Sequence, residues 1–361
     1  MFIMLILKGG RIFRKGEFVN SDILITDRIE MIHDSISIKG VETMDIDNNF
    51  VVPGFIDLHC HVNGAGGEGG PLTRTLPIEA NLLLSSGITT VVGLLGTDGY
   101  TRNLIDLLMH IRRLNASMNA FMLTGSYQLP GPTLTGSVPR DIIFVPEVVG
   151  VKIALSDHRS SYPSFETLKN LASEVRVSSM LANKKTIITV HMGDGKQMFS
   201  PIYEVIEKTE IPLWHFIPTH VDRNEDLLKS SVEYAKMGGL IDLTAHPGKT
   251  LRSIEYLLSR GVSIESITVS TDGNGSMPIF DKNGILKKMD VSPVDTLLGI
   301  FRESLNTKLW PEIIKTITEN PAERLGLRKG RIEEGMDADL LVFDNSWNLR
   351  YSISRGRVFT L

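Results

Sequence analysis

A single cysteine, Cys60, leaves this 361-residue chain unable to form an intrachain disulfide framework, which fits a reducing compartment. The sequence also lacks an excess of charge. Its 38 Lys and Arg stand against 42 Asp and Glu, a formal net charge of −4, so no basic surface argues for nucleic acid or anionic membrane as a partner. It has no short internal repeat and no low-complexity segment. The opening stretch, MFIMLILKGGRIF, has only a short apolar run, with no basic region before it and no small-residue cleavage site after it. It reads as a strand rather than as a signal peptide or a transmembrane helix, and the expected location is therefore the cytoplasm. What remains is ordinary globular composition, 42% hydrophobic and 22% charged, in a length that suits one large domain or two smaller ones.

The dominant pattern is an alternation of strands and helices. Short apolar or β-branched runs occur at residues 55–62, 89–95, 120–127, 148–155, 186–193, 214–221, 240–245 and 267–275. Helix-length segments lie between most of them. NLIDLLMHIRRL is apolar at helical spacing, Ser200-Pro201 reads as a capped helix start, and EDLLKSSVEYAKMGG stops at Gly238-Gly239. Ser292-Pro293 and Asn320-Pro321 read as further helix starts. Eight strands in alternation with helices predict an α/β fold, a (β/α)8 TIM-like barrel over residues 53–330. Residues 1–52 and 331–361 carry short alternating runs with turn signals and no long helical pattern. They are expected to combine into one small β-sandwich domain beside the barrel.

In such a barrel the active site forms at the C-terminal ends of the strands. Those ends hold His59 and His61 on the first strand, Lys152 on the fourth, His191 on the fifth, His220 on the sixth and Asp272 on the eighth. His59 and His61 are two apart and face the same side of a strand, the barrel interior, whereas Cys60 faces outward as a small buried hydrophobe. Imidazole and carboxylate ligands together suit zinc or a similar transition metal. Lys152 is the anomaly. It sits inside VVGVKIAL, a run that reads as a strand buried on both faces, where a lysine is costly to desolvate unless it is paired or neutral. His33 and His110 lie away from the strand ends, and His215 has the wrong parity to face inward with His220. His158 could support the site from beside Arg159. The roles of His246, after the seventh strand, and of Arg74 stay open.

The stretch PGFIDLHCH, with a lysine on strand four, histidines on strands five and six and an aspartate on strand eight, resembles the amidohydrolase superfamily. Within it the chain is most similar to the isoaspartyl (β-aspartyl) dipeptidases, through GGEGGPLTRT, TTVVGLLGTDG, LTGSY, GVKIALSDHRS, VHMGD, PTHVDRN and STDGNGS. The resemblance implies two Zn²⁺ ions per subunit, roughly 3.5–4 Å apart, bridged by a carbamylated Lys152 and a hydroxide. His59, His61 and Asp272 would serve one metal, and His191 and His220 the other. The physical logic of the carbamate stands beside the family. A desolvated lysine has a lowered pKa, reacts as a neutral amine, and becomes an anionic bridge once carbamylated. The resemblance further implies Asp272 as general base and then general acid, and Tyr127 as the group that stabilises the oxyanion. Glu68 would receive the substrate ammonium, Arg159 and Arg223 its carboxylates, and Gly66, Gly67, Thr97 and Ser276 would complete the pocket. The implied substrate is an isoaspartyl dipeptide, and the implied assembly is a homo-oligomer, an octamer in this family. An alternative is a cyclic-amide hydrolase of the hydantoinase or dihydroorotase kind with the same metal site. Its neutral ring would have no ammonium for Glu68. A catalytically dead scaffold on the same fold would be expected to have lost ligands that are all present here.

Overall fold

The computed structural model describes residues 4–283 and 285–361. The first three residues of the opening run lie outside them, and the strand expected there begins at Leu5. Strands and helices alternate through the middle of the chain, as the sequence pattern requires. Six parallel strands, Phe55–Cys60, Ile88–Gly93, Asn119–Gly125, Val148–Leu155, Ile187–Met192 and Phe216–Thr219, pair in chain order into one sheet. Ile241–Thr244 and Ile267–Ser270 follow as a parallel pair. A bridge between Cys60 and Gly273 ties the segment after this eighth strand to the first. The arrangement is an α/β, TIM-barrel-like one.

Every residue of Val148–Leu155 is buried, as expected of a strand covered on both faces. Helices on the outside start where a side chain can satisfy the free amides of the first turn. Asn103, Ser164 and Asn224 each accept a hydrogen bond from a backbone amide three residues on. The starts expected from the sequence differ. Ser200 is already the first helical residue of Ser200–Lys208, and its hydroxyl donates to the Gln197 carbonyl instead of capping. Ser292 caps nothing, since the helix begins at Thr296 and the Ser292 hydroxyl reaches the Thr271 carbonyl. Asn320 lies inside Glu319–Leu325, and its amide donates to the Ile264 and Ile267 carbonyls, tying that helix to the start of the eighth strand.

Both ends of the chain enter one eight-stranded sheet, whose path runs from Arg357–Thr360 through Leu340–Phe343, Phe50–Pro53 and Leu5–Arg14 to Ile29–His33. Backbone pairing joins the strands of the expected sandwich into one hydrogen-bonded network that branches at Leu5–Arg14, which pairs with Glu17–Ile25, Glu42–Asp45 and Phe50–Pro53. Leu340 pairs opposite Pro53, and Pro53 leads directly into the first barrel strand. An aromatic layer backs the junction. Trp347 stacks on Phe50 at 4.3 Å between ring centroids and meets Phe301, on the helix Thr296–Ser304, at 5.6 Å. Asp339 adds a polar tie, accepting from Asn119 of the third barrel strand at 2.9 Å.

A feature that sequence patterning missed is the antiparallel hairpin Ser276–Phe280 with Leu286–Val291. The eighth strand was expected to run to residue 275, but it ends at Ser270, and the chain then turns through Asp272 into this hairpin. No helix among the described residues is long and apolar enough to cross a membrane.

Candidate active site

The strand ends open into a cavity of about 320 Å³. His61, Gly66, Glu68, Thr97, Tyr127, Arg159, His191, His220, Arg223, Asp272 and Ser276 all line it. His59 and Lys152 lie buried beside these residues, 2% and 0% exposed. Gly67 is not among the lining residues, and its amide donates to Thr73 Oγ1 at 3.1 Å. Gly66 has φ +84°, and a Cβ there would fall 2.8 Å from that of Ser276, so a glycine lets this loop approach the hairpin.

The imidazoles form a chain, with ring centroids 5.6 Å apart for His59 and His61, 4.9 Å for His59 and His220, and 4.7 Å for His191 and His220. Asp272 Oδ1 lies 3.2 Å from His61 Nε2 and 3.4 Å from His59 Nε2. Lys152 Nζ lies 3.1 Å from His59 Nε2. His220 and Asp272 both have left-handed backbones, φ +63° and +49°, a conformation costly for non-glycine residues and concentrated at functional sites.

Burial sets the protonation states. It lowers His191 to about 3 and holds His59 and His220 well below the usual imidazole range, so all three are neutral at pH 7. Burial also lowers Lys152 to about 7, against the partial support of Asp272. Desolvation alone would raise Asp272, but His220, His61 and Lys152 outweigh it and keep it ionised. The cluster therefore offers neutral imidazoles, one carboxylate and an amine that is partly neutral at physiological pH. These are the forms in which such groups bind metal or react.

The donor set fits a metal on two further observations. Ligand atoms of His59, His220 and Asp272 all lie within 4.8 Å of one another. The buried Nδ1 of His61 has no hydrogen-bond partner among the described residues, the state expected of a nitrogen kept for a ligand. His191 differs from His61, because both its nitrogens have protein partners. Nε2 faces Asp157 at 3.0 Å, while Nδ1 faces the Tyr127 hydroxyl at 2.7 Å. Nδ1 can take the Tyr127 proton or an ion, not both.

Carboxylates that sequence reasoning left without a role hold this cluster in place. Asp57 accepts from the Thr271 amide at 3.1 Å, the Thr271 hydroxyl at 2.6 Å and the His59 amide at 3.1 Å. It thereby locks the first strand to the segment after the eighth. Asp242 accepts from Thr219, Thr268 and Ser270, joining strands six to eight. Asp157 accepts two bonds from the Arg159 guanidinium, at 2.9 and 2.8 Å, besides facing His191. His158, by contrast, is largely exposed. Nothing in the local sequence separates these aspartates from solvated ones, apart from their place inside apolar strands or at strand ends. Arg74 acquires a role, since it bonds Asp98 and Thr101 and fixes the loop that carries Thr97. His33, His110 and His215 stand apart from the cavity, whereas His246 lines it. Cys60 is fully buried, and desolvation raises its thiol well above the usual range, as suits a packing residue.

A cluster of possible metal ligands on the strand ends of a TIM-barrel-like fold is shared by many proteins, and sequence comparison narrows the choice. The profile of the amidohydrolase family matches residues 50–358. The chain belongs to the amidohydrolase family. Amidohydrolases typically bind metal, in agreement with the donor set. This amidohydrolase superimposes on a β-aspartyl dipeptidase from Fervidobacterium islandicum AW-1, solved in complex with β-Asp-Leu, with a TM-score of 0.93 and 38% identity, covering 99% of this chain and 97% of that one. Dihydroorotases from Listeria monocytogenes and Listeria innocua are 22% and 32% identical over 397 residues, covering 94% of this chain and 89% of each.

Proposed function

We propose that this amidohydrolase is a metal-dependent isoaspartyl dipeptidase that hydrolyses the β-aspartyl peptide bond of short isoaspartyl substrates. The observation that carries this reading is the charge pattern of the cavity. One carboxylate, Glu68, and two guanidinium groups, Arg159 and Arg223, line it together with Asp272 and the histidines. An isoaspartyl dipeptide carries one ammonium and two carboxylates around its scissile bond, which matches that set. The 38% identity to a β-aspartyl dipeptidase solved with β-Asp-Leu supports the same reading.

Glu68 accepts from Thr97 at 2.8 Å and lies 3.4 Å from Arg159, so it is held where it can receive the substrate ammonium. Arg159, fixed by Asp157, and Arg223 take the carboxylates. Gly66 and Ser276 shape the pocket around the aspartyl part, and Gly67, outside the lining, holds the Gly66 loop through its bond to Thr73. His59, His61, His191, His220, Asp272 and Lys152 in its carbamylated form would hold the two zinc ions, which when bound would supply polarisation of the scissile carbonyl and a lowered pKa for a water molecule. Asp272, ionised in the free site, accepts the proton of the attacking water and returns it to the leaving amine. Tyr127 has a buried hydroxyl whose pKa is raised by desolvation, so it stays protonated and can donate to the developing oxyanion. In this reading residues 53–330 carry the chemistry, and residues 1–52 with 331–361 form a supporting β domain.

A cyclic-amide hydrolase is the second reading, favoured by the dihydroorotase relatives. Glu68→Gln separates the two. Under the dipeptidase reading it lowers kcat/KM on β-Asp-Leu by about 100-fold, the order expected for removing one charged hydrogen bond in a partly closed site. A variant that keeps full activity on β-Asp-Leu, or a wild-type enzyme that opens dihydrouracil but spares the peptide, overturns the proposal.

A further inference from the structure

The cavity has a second polar wall that the proposed reaction does not use. It is built from Asp222, which follows the sixth strand, and from Thr244, His246 and Lys249 at the end of the seventh. Asp222 is 2% exposed. Its Oδ1 accepts from the Thr244 amide at 3.1 Å, whereas its Oδ2 has no hydrogen-bond partner among the described residues. The Lys249 ammonium stands 3.8 Å from that oxygen, too far for a hydrogen bond but close enough to be held at the wall. Among the described residues the Lys249 ammonium donates no hydrogen bond within 3.5 Å, so its three N–H groups are available to a ligand.

The loop that presents these groups is itself fixed. The His246 amide donates to Thr250 Oγ1 at 2.8 Å and the Lys249 amide to the His246 carbonyl at 3.0 Å. The Gly248 amide donates to Glu303 Oε2 at 2.9 Å, and Gly248 has φ +77°, which favours glycine at that turn. A firmly anchored turn that points a free ammonium into a cavity is a specificity element rather than a solvated surface charge.

We infer that this wall, with Lys249 as its main contact, is the subsite for the side chain of the leaving residue, and that it selects acidic side chains. The inference rests on the isoaspartyl dipeptidase reading. Glu68 and Arg159 lie 3.4 Å apart in the cavity, and in that reading they receive the aspartyl part. The leaving residue then extends toward Arg223, which takes its α-carboxylate, and its side chain reaches the wall of Lys249 and His246. Charge decides the preference. Arg223 and Lys249 face the cavity as cations. Asp222, nearly fully buried in the same wall, stands 3.8 Å from the Lys249 ammonium, and Asp194, exposed to solvent, stands 3.8 Å from Arg223. A glutamate side chain accepts from the free ammonium, whereas a lysine side chain meets two like charges.

The test compares kcat/KM for β-Asp-Glu, β-Asp-Leu and β-Asp-Lys on the zinc-loaded enzyme and on its Lys249→Met and Lys249→Glu variants. The wild type is expected to favour the glutamate substrate over the lysine one by about tenfold, the ratio that one charge-assisted hydrogen bond supplies. Lys249→Met should bring β-Asp-Glu and β-Asp-Leu close to parity, and Lys249→Glu should make β-Asp-Lys the better substrate. Each ratio is internal to one protein, so partial loss of folded enzyme does not alter it. Equal rates on all three substrates, a wild-type preference for leucine or lysine, or ratios that ignore residue 249 overturn the subsite while leaving the dipeptidase reading intact. No turnover of any of the three overturns both.

Discussion

Replacing Asp57 separates the strand-end scaffold from the chemistry it supports. Its carboxylate receives three hydrogen bonds, two from Thr271 and one from the His59 amide, in a fully buried setting. Burial raises its pKa to about 7, with the Thr271 hydroxyl opposing the shift most strongly, so near neutral pH it is about half protonated. Asp57→Ala removes the acceptor and strands two amides and a hydroxyl. At about 1–3 kcal/mol for each buried donor left without a partner, less what an entering water restores, the loss is about 4 kcal/mol. At about 2 °C per kcal/mol for a chain of this size, Tm falls by about 8 °C. Asp57→Asn keeps the oxygen that accepts both amides. Its NH2 group turns toward Thr271 Oγ1, which already accepts from the Gly273 amide at 2.7 Å, so only the hydroxyl proton is stranded. That costs about 1 kcal/mol, or about 2 °C. Differential scanning calorimetry of the three metal-free proteins at pH 7 measures the difference. Equal shifts in the two variants, or a shift below about 2 °C for alanine, would refute the argument that these three bonds join the first strand to the eighth.

Lys152→Ala should lose bound metal and activity, and a short carboxylic acid in excess should restore part of both. Full activity without the acid contradicts a bridging role for Lys152. Tyr127→Phe is expected to lower kcat on β-Asp-Leu about 100-fold while metal content is retained, as for the loss of one oxyanion donor. An unchanged kcat removes Tyr127 from the mechanism. The metal-free protein should lose stability in acid. Burial lowers His191 to about 3 and His215 to about 4, and it holds His59 and His220 below the usual range. Their contribution is complete above the unfolded value of about 6.5 and is lost as pH falls below it. Asp57 and Asp242, raised to about 7 and about 6, act in the opposite sense, being most favourable at low pH and losing their contribution as pH rises. Four histidines outnumber two aspartates between pH 6.5 and 4.5, so Tm should fall across that interval. A flat or rising Tm would show that these imidazoles are not buried as neutral groups.

How much could be read in advance follows the range of each interaction. His59 and His61 share a face because strand side chains alternate with a period of two, and residues 55–60 are indeed a strand. Lys152 declared itself because a charge inside VVGVKIAL violates the local pattern, and the structure buries it completely. The helix starts at Asn103, Ser164 and Asn224 obey local capping rules. Ser292 and Asn320 break them, because their side chains answer to carbonyls 21 and 56 residues away. Asp57 and Asp222 were invisible for the same reason, since Thr271 and Thr244 reach them only when strands distant in sequence close. The hairpin 276–291 escaped notice because its strands are mostly exposed and carry no buried alternation. Lys249 likewise gained meaning only when the end of the seventh strand came to face the cavity.

The most direct test of the central claim is the hydrolysis of β-Asp-Leu against α-Asp-Leu by the zinc-loaded protein in bicarbonate buffer, with dihydrouracil as a third substrate, followed by release of free leucine and by ring opening. Cleavage of the β-linked peptide alone is the expected result. Equal cleavage of the α-linked peptide, or ring opening without peptide cleavage, would contradict the isoaspartyl dipeptidase account.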